Sequence, residues 1–211
     1  MATTQRRGRL PLQERESRRQ EVLDAALAEL LAGGAAALTM QGVARRAGAS
    51  KETLYSWFGG RDELLGALVE ANADNSATRV TQALDAGVTT PTQARETLVA
   101  YGQALLGLLT GRASVELNRA AMSSPALAER LLTSGRHRIG PRVQEYLARL
   151  HTEQILDAPD SAQAYRTLYG LIVRDTQIRV LLGDPPPNNA EIAQHATGAV
   201  DAFFTLFHGA P

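Results

Sequence analysis

Lys51, Glu52 and Thr53 stand in a row at the start of a short segment, and their side chains match the exposed edges of DNA bases. Lys51 can donate to O6 or N7 of guanine, Glu52 can accept from N4 of cytosine, and Thr53 offers both a hydroxyl and a methyl group. Glu52 serves equally well as a solvated helix residue that keeps the lysine in place. Arg61 sits beside Asp62 and Glu63 in the first turn of a later helix. Carboxylates favour that end of the helix dipole and a cation opposes it, so Arg61 is expected to reach outward to an anion. Catalytic groups are missing. The chain has no cysteine, which removes disulfides, thiolate metal sites and cysteine nucleophiles. His137, His151, His195 and His208 are too widely separated for a helical metal pair, and no nucleophile motif or glycine-rich phosphate loop occurs. These absences predict no enzyme, no metal and no cofactor.

Two short helices must hold the base-reading groups. Thr39 can cap one bearing Val43, Ala44 and Ala47, and Ser50 can cap the next, with Leu54, Trp57 and Phe58 on its buried side. Gly48-Ala49-Ser50 forms the turn between them, Gly48 taking a conformation that a side chain would resist. The proportions over residues 38–58 are those of a helix-turn-helix, in which the first helix lies over phosphates and the second enters the major groove. A helix ahead of this pair is expected from Ser17, where Ser17-Arg18-Arg19-Gln20 has the capping-box form, to Gly33-Gly34.

Thr39, Val43-Ala44, Ala47-Gly48, Ser50, Thr53-Leu54-Tyr55 and Phe58, followed by Arg61 and Leu64-Leu65, resemble the DNA-binding domain of the TetR family of transcriptional regulators. The resemblance spans residues 17–70. It implies that Thr39, Tyr55 and Arg61 hold phosphates while Ser50, Lys51, Glu52, Thr53 and Ser56 face the groove. Trp57 stands where the family commonly has tyrosine or histidine, Ala49 where it has valine, and Gly42 where it has a charged residue. Gly42 is expected to weaken its helix by about 1 kcal/mol relative to alanine.

The rest of the chain frames this head. Its 211 residues, 44% hydrophobic, suffice for a real core, and alanine and leucine outweigh β-branched and aromatic types, predicting an all-α fold of about nine helices. Net charge is zero, yet the first 61 residues hold 10 basic and 6 acidic side chains, an anion-binding head on an acidic body. Residues 1–16, with Arg6, Arg7, Arg9 and Arg15, read as a mobile basic arm or a plain solvated tail. With no bilayer-length apolar run and no signal-peptide pattern, the expected location is the cytoplasm, on the nucleoid when DNA-bound, with no membrane partner.

Residues 71–211 are expected to form a larger helical domain for dimerisation and ligand binding. Gly135 and Gly140-Pro141 are expected to interrupt the segment ending near Leu150, and Ser161 to Leu182 reads as one strongly apolar helix. The stretch from Leu168 to Phe207 is similar to a branch of the same family in which the last two helices pair with their copies. Its apolar residues cover a wide arc, which nominates Leu171, Ile178, Leu181, Val200, Phe203, Phe204 and Phe207 for a homodimer interface, burial within one subunit being the alternative. Tyr101, Leu105, Arg119, Met122, Tyr165, Tyr169 and Arg174 are polar or adaptable groups within apolar helices and suit a small-molecule pocket, though each also suits ordinary interhelix bonds. The family resemblance then implies a dimeric repressor on an inverted-repeat operator, released by an effector. A nonspecific nucleoid-associated protein, and a helical enzyme or carrier, are the other classes considered.

Overall fold

The structure, a computed structural model, describes residues 12–85 and 90–208, and the first eleven residues of the expected basic arm lie outside that range. The described residues form eleven helices and no strand. They divide into two compact units, one ending at Leu68 and the other beginning at Val69.

The first unit holds α1 (Leu12–Ala37), α2 (Met40–Ala47), α3 (Lys51–Phe58) and the start of α4 (Arg61–Asp85). The capping-box sequence at Ser17 does not start α1, because Gln13, Glu14, Arg15 and Glu16 are good helix formers and extend it backwards. Residues 12–16 are therefore helical, not part of an arm. At the other end Gly34 adopts φ 72°, ψ 176°, a break inside the final turn. Thr39 caps α2 by accepting from the Gly42 N–H, and Ser50 caps α3 by accepting from the Thr53 N–H. Gly48 takes the left-handed conformation that ends α2, φ 58° and ψ 35°. Val22, Ala26, Leu30, Leu38, Val43, Leu54, Leu64 and Leu65 are buried in this unit. Gly42 has a packing role: a Cβ there would lie 3.1 Å from Thr39 Oγ1 and 3.2 Å from a Glu29 carboxylate oxygen on α1.

The second unit comprises the remainder of α4 with α5 (Pro91–Thr110), α6 (Arg112–Ala121), α7 (Pro125–Ser134), α8 (Arg136–Thr152), α9 (Ser161–Val173), α10 (Thr176–Leu182) and α11 (Asn189–Leu206). Thr90, Ser124, Asp160 and Asn188 cap α5, α7, α9 and α11, the last in a full capping box with Glu191. Central α5 packs against α11, α9, α10 and α6, while α8 packs on α9 and α7. Their shared core contains Leu98, Tyr101, Tyr146, Leu150, Leu168, Ile172, Val200 and Phe203. The helix count exceeds nine because Gly111 separates α5 from α6 and the expected Ser161–Leu182 helix is broken. That break lies at Arg174, whose φ of 45° and ψ of −131° no helix accommodates. Gly140-Pro141, by contrast, does not interrupt α8: Pro141 lies inside it, and Gly140 lets the Tyr165 ring approach closely, 3.2 Å from where a Cβ would be.

Several nominated interface residues are internal. Val200, Phe203 and Phe204 are buried in the core of a single subunit, and Leu171 and Phe207 pack against that core. The wide apolar arc of α11 arises because it touches both α5 and α9, so its two sides are covered by its own chain. Ile178 remains 48% exposed, Leu182 is 82% exposed, and Leu181 is half-buried. No helix of the described residues is long and apolar enough to cross a membrane.

Candidate functional site

In the first unit, α3 buries Leu54 and Phe58, half-buries Thr53 and Trp57, and exposes Lys51, Glu52, Tyr55 and Ser56. Lys51 stacks with Tyr55 and Glu52 with Ser56, each four residues apart, and together the four span an exposed arc of about 140°. Ser50 and Thr39 are exposed at the helix starts, but their hydroxyls are already acceptors in the caps, and the Thr53 hydroxyl lies 3.0 Å from that of Ser50. Thr39 still has its hydroxyl proton to donate, whereas that of Ser50 is turned to the Glu52 carboxylate. The Glu52 carboxyl is held below the usual carboxylate range by its own backbone N–H, by the Ser50 hydroxyl and by nearby Lys51, so it is ionised. Lys51 Nζ makes no hydrogen bond or ion pair with the described residues, which leaves its donors for an external acceptor.

Arg61 is placed differently from the expectation of an outward reach. Its Nε donates to the Leu38 carbonyl at 3.0 Å, its guanidinium also donates to the Ala35 carbonyl, and Nη1 lies 3.2 Å from Asp62. Those carbonyls belong to the frayed end of α1 and the link to α2, where acceptors are left over by the helix break. The cation is therefore bound to this unit's own backbone. Arg18 makes a similar contact that the sequence did not reveal, donating to the Ala47 and Gly48 carbonyls at 3.0 Å each and bracing the turn from α1. Arg46 pairs with Glu29 at 2.7 Å, tying α2 to α1.

The second unit encloses a cavity of about 310 Å³. Tyr101, Leu105, Tyr165 and Tyr169 line it, four of the seven residues nominated for a pocket. The other three lie elsewhere. Arg119 is exposed and donates to the Val180 and Leu181 carbonyls at the end of α10, Met122 is 66% exposed at the end of α6, and Arg174 is exposed at the α9–α10 break. Leu108, Leu109, Leu117, Leu131 and Ile139 supply apolar walls, Val69, Ala73 and Ala77 of α4 supply small ones, and Asn72, Ser114, Asn118 and Gln177 supply polar points.

Arg136, which sequence reasoning missed, is the only charged residue lining the cavity among the described residues. Its guanidinium carbon lies 4.2 Å from the centroid of the Tyr169 ring. Its charge acts on the neighbouring phenols of Tyr165 and Tyr101. Burial, above all, pushes the hydroxyls of Tyr101, Tyr165 and Tyr169 above the ordinary phenol range, and the Arg136 charge opposes that rise in each. All three are neutral donors at physiological pH. A signal did exist: Arg136 is a cation in the first turn of a helix with no side-chain cap, the same feature that drew attention to Arg61. Among the described residues no group of three or more histidines or carboxylates could hold a metal ion.

Comparison with known proteins gives matches over both units. Residues 22–68 match the model for bacterial regulatory proteins of the tetR family, and residues 96–208 match that for the AefR-like transcriptional repressor C-terminal domain. A TetR transcriptional regulator from Agrobacterium tumefaciens is 36% identical, with 90% of this chain and 94% of that one aligned and a TM-score of 0.73. The transcriptional regulator FadR from Bacillus subtilis, solved with stearoyl-CoA, is 17% identical over 90% of this chain and 100% of its own, with a TM-score of 0.69. The flavonoid-responsive regulator FrrA is 23% identical over 92% of this chain and 100% of its own, with a TM-score of 0.66. A comparison with curated protein sequences returned no match.

Proposed function

The chain belongs to the TetR family of bacterial regulatory proteins and is a transcriptional regulator with a DNA-binding helix-turn-helix, and we propose that it represses transcription from an inverted-repeat operator until a small molecule binds its second unit. The exposed row of Lys51, Glu52, Tyr55 and Ser56 on a capped recognition helix carries this reading. Lys51 and Glu52 have the donor and acceptor types for base edges, Ser56 lies one turn on from Glu52, and Thr39 offers a hydroxyl donor to a phosphate at the start of α2. Tyr55, half-exposed, adds a phenolic donor to the backbone. The match to a repressor C-terminal domain favours repression.

The cavity is the proposed effector site, since it combines a mostly apolar lining with a few convergent polar groups. FadR from Bacillus subtilis, with stearoyl-CoA bound, is a precedent for ligand binding in this fold. Because α4 begins with Arg61 and also lines the cavity through Val69, Asn72, Ala73 and Ala77, it is the element through which effector and operator are linked. Reciprocal coupling follows: an effector that weakens operator binding is itself bound less tightly by the operator complex. The protein is proposed to act in the cytoplasm.

Selection from random and genomic DNA followed by footprinting tests this. The expected product is an inverted repeat with half-site centres about 34 to 36 Å apart, or wider where the heads splay. Selection of unpaired half-sites rejects the dimeric reading, and uniform recovery of all sequences rejects operator recognition in favour of nonspecific binding.

A further inference from the structure

The lining of the cavity is unequal in a way that specifies charge. Its inner walls are leucines and alanines, and no carboxylate among the described residues lines it. Arg136 and Tyr165 lie beside Tyr169 in the cavity lining, which also includes Tyr101. Arg136 and Tyr165 also line an adjoining groove of about 300 Å³, which adds His137 and Arg166 and again has no acidic residue. Arg136 is exposed, and its described neighbours are the Tyr169 ring face and uncharged phenols, none of them an anion. The cavity thus has a greasy interior, and its boundary with a basic groove is marked by an uncompensated guanidinium.

Resting on the reading of this cavity as the effector site, we propose that its ligand is an amphipathic organic anion, with a carboxylate or comparable acidic group on Arg136 and an apolar body among Leu105, Leu108 and Leu117. Arginine offers a fork of N–H donors that fits a carboxylate with two parallel bonds. Tyr165 adds to this, because it lines the cavity beside Arg136 and is a neutral phenol with an O–H to donate. A cationic ligand would face Arg136 with no carboxylate to offset it. A neutral one would leave the guanidinium without an anion. The volume, about twice that of an engineered cavity that holds benzene, sets the apolar body at roughly one aromatic ring with a short chain.

Calorimetric titration of the full chain with three probes of one shape, 4-phenylbutyrate, 4-phenylbutyramide and 4-phenylbutylamine, tests the proposal. The carboxylate is expected to bind about tenfold or more tightly than the amide, as a charge-assisted pair implies, and the amine weakest of the three. Arg136→Gln should erase the preference, bringing carboxylate and amide together. Because Arg136 is exposed the variant should fold, and an unchanged unfolding transition verifies it. Equal or tighter binding of amide or amine overturns the inference, as does a preference that survives Arg136→Gln. Leu108→Trp, which fills the cavity, separates this from the underlying reading. Probe binding that Leu108→Trp leaves intact, or no binding by any probe, overturns the effector-cavity assignment together with the inference, whereas wrong-charge preference abolished by Leu108→Trp overturns only the inference.

Discussion

A guanidinium near the start of a helix needs oxygen, and Arg61 finds it in the Leu38 and Ala35 carbonyls while Lys51 has no such partner among the described residues. Two energetic classes follow within one small unit. Arg61→Ala leaves two carbonyls without a charged donor and is expected to lower the stability of the first unit by about 1 to 3 kcal/mol, discounted for partial exposure of the side chain. Urea or thermal unfolding reads this directly, and much of any loss in DNA affinity should return at a temperature where the variant is folded. Lys51→Ala should leave the unfolding midpoint unchanged, since it is an exposed side chain without a described partner. It should cost about 1 to 3 kcal/mol of binding, chiefly on the preferred sequence. If Lys51→Ala instead weakens all sequences alike and reduces the salt slope by about 1, Lys51 contacts phosphate and not a base.

The elements divide by how local their causes are. Thr39 and Ser50 were legible in the sequence as helix starts because a cap bonds an N–H only two or three residues away. Tyr101, Tyr165 and Tyr169 were legible as cavity candidates because polar tips on apolar helices are few. Phe203 and Phe204 lie in the core of one chain, the alternative to an intersubunit surface, because their neighbours on α5 and α9 are distant in sequence. Nothing local announces that Arg174, not a glycine, takes φ 45° and divides α9 from α10. Arg136 was overlooked because its partners Tyr165 and Tyr169 come from another helix. Long-range packing also explains Gly102 on α5, where a Cβ would lie 3.2 Å from Ala196 Cβ and 3.4 Å from Ile172 Cδ1. Gly102→Leu would drive a branched side chain between α5, α9 and α11 and is expected to destabilise the second unit by about 1 to 3 kcal/mol through overpacking. Chemical denaturation checks it. An unchanged midpoint would mean that α5 and α11 can separate at little cost.

For the whole molecule, the proposed inverted-repeat operator requires a second copy of the chain. Phe203 is fully buried within one subunit, so Phe203→Asp should unfold the second unit: removing a buried phenylalanine alone costs about 3 to 5 kcal/mol, and placing a carboxylate there adds a desolvation cost. Leu182 is 82% exposed and Ile178 48% exposed on α10, while a Cβ at Gly170 on α9 or Gly198 on α11 would meet nothing within 4 Å. The exposed apolar residues of α10 suit the approach of another helix. Leu182→Asp should therefore keep helicity and unfolding temperature near those of the parent protein while sedimentation shows dissociation to single subunits. Operator affinity should fall with it, because a lone subunit engages one half-site and loses the gain from joining two. A Leu182→Asp protein that sediments as a dimer with unaltered operator binding would move the interface away from α10. A Phe203→Asp protein that stays folded while dissociating would return it to the core face of α11.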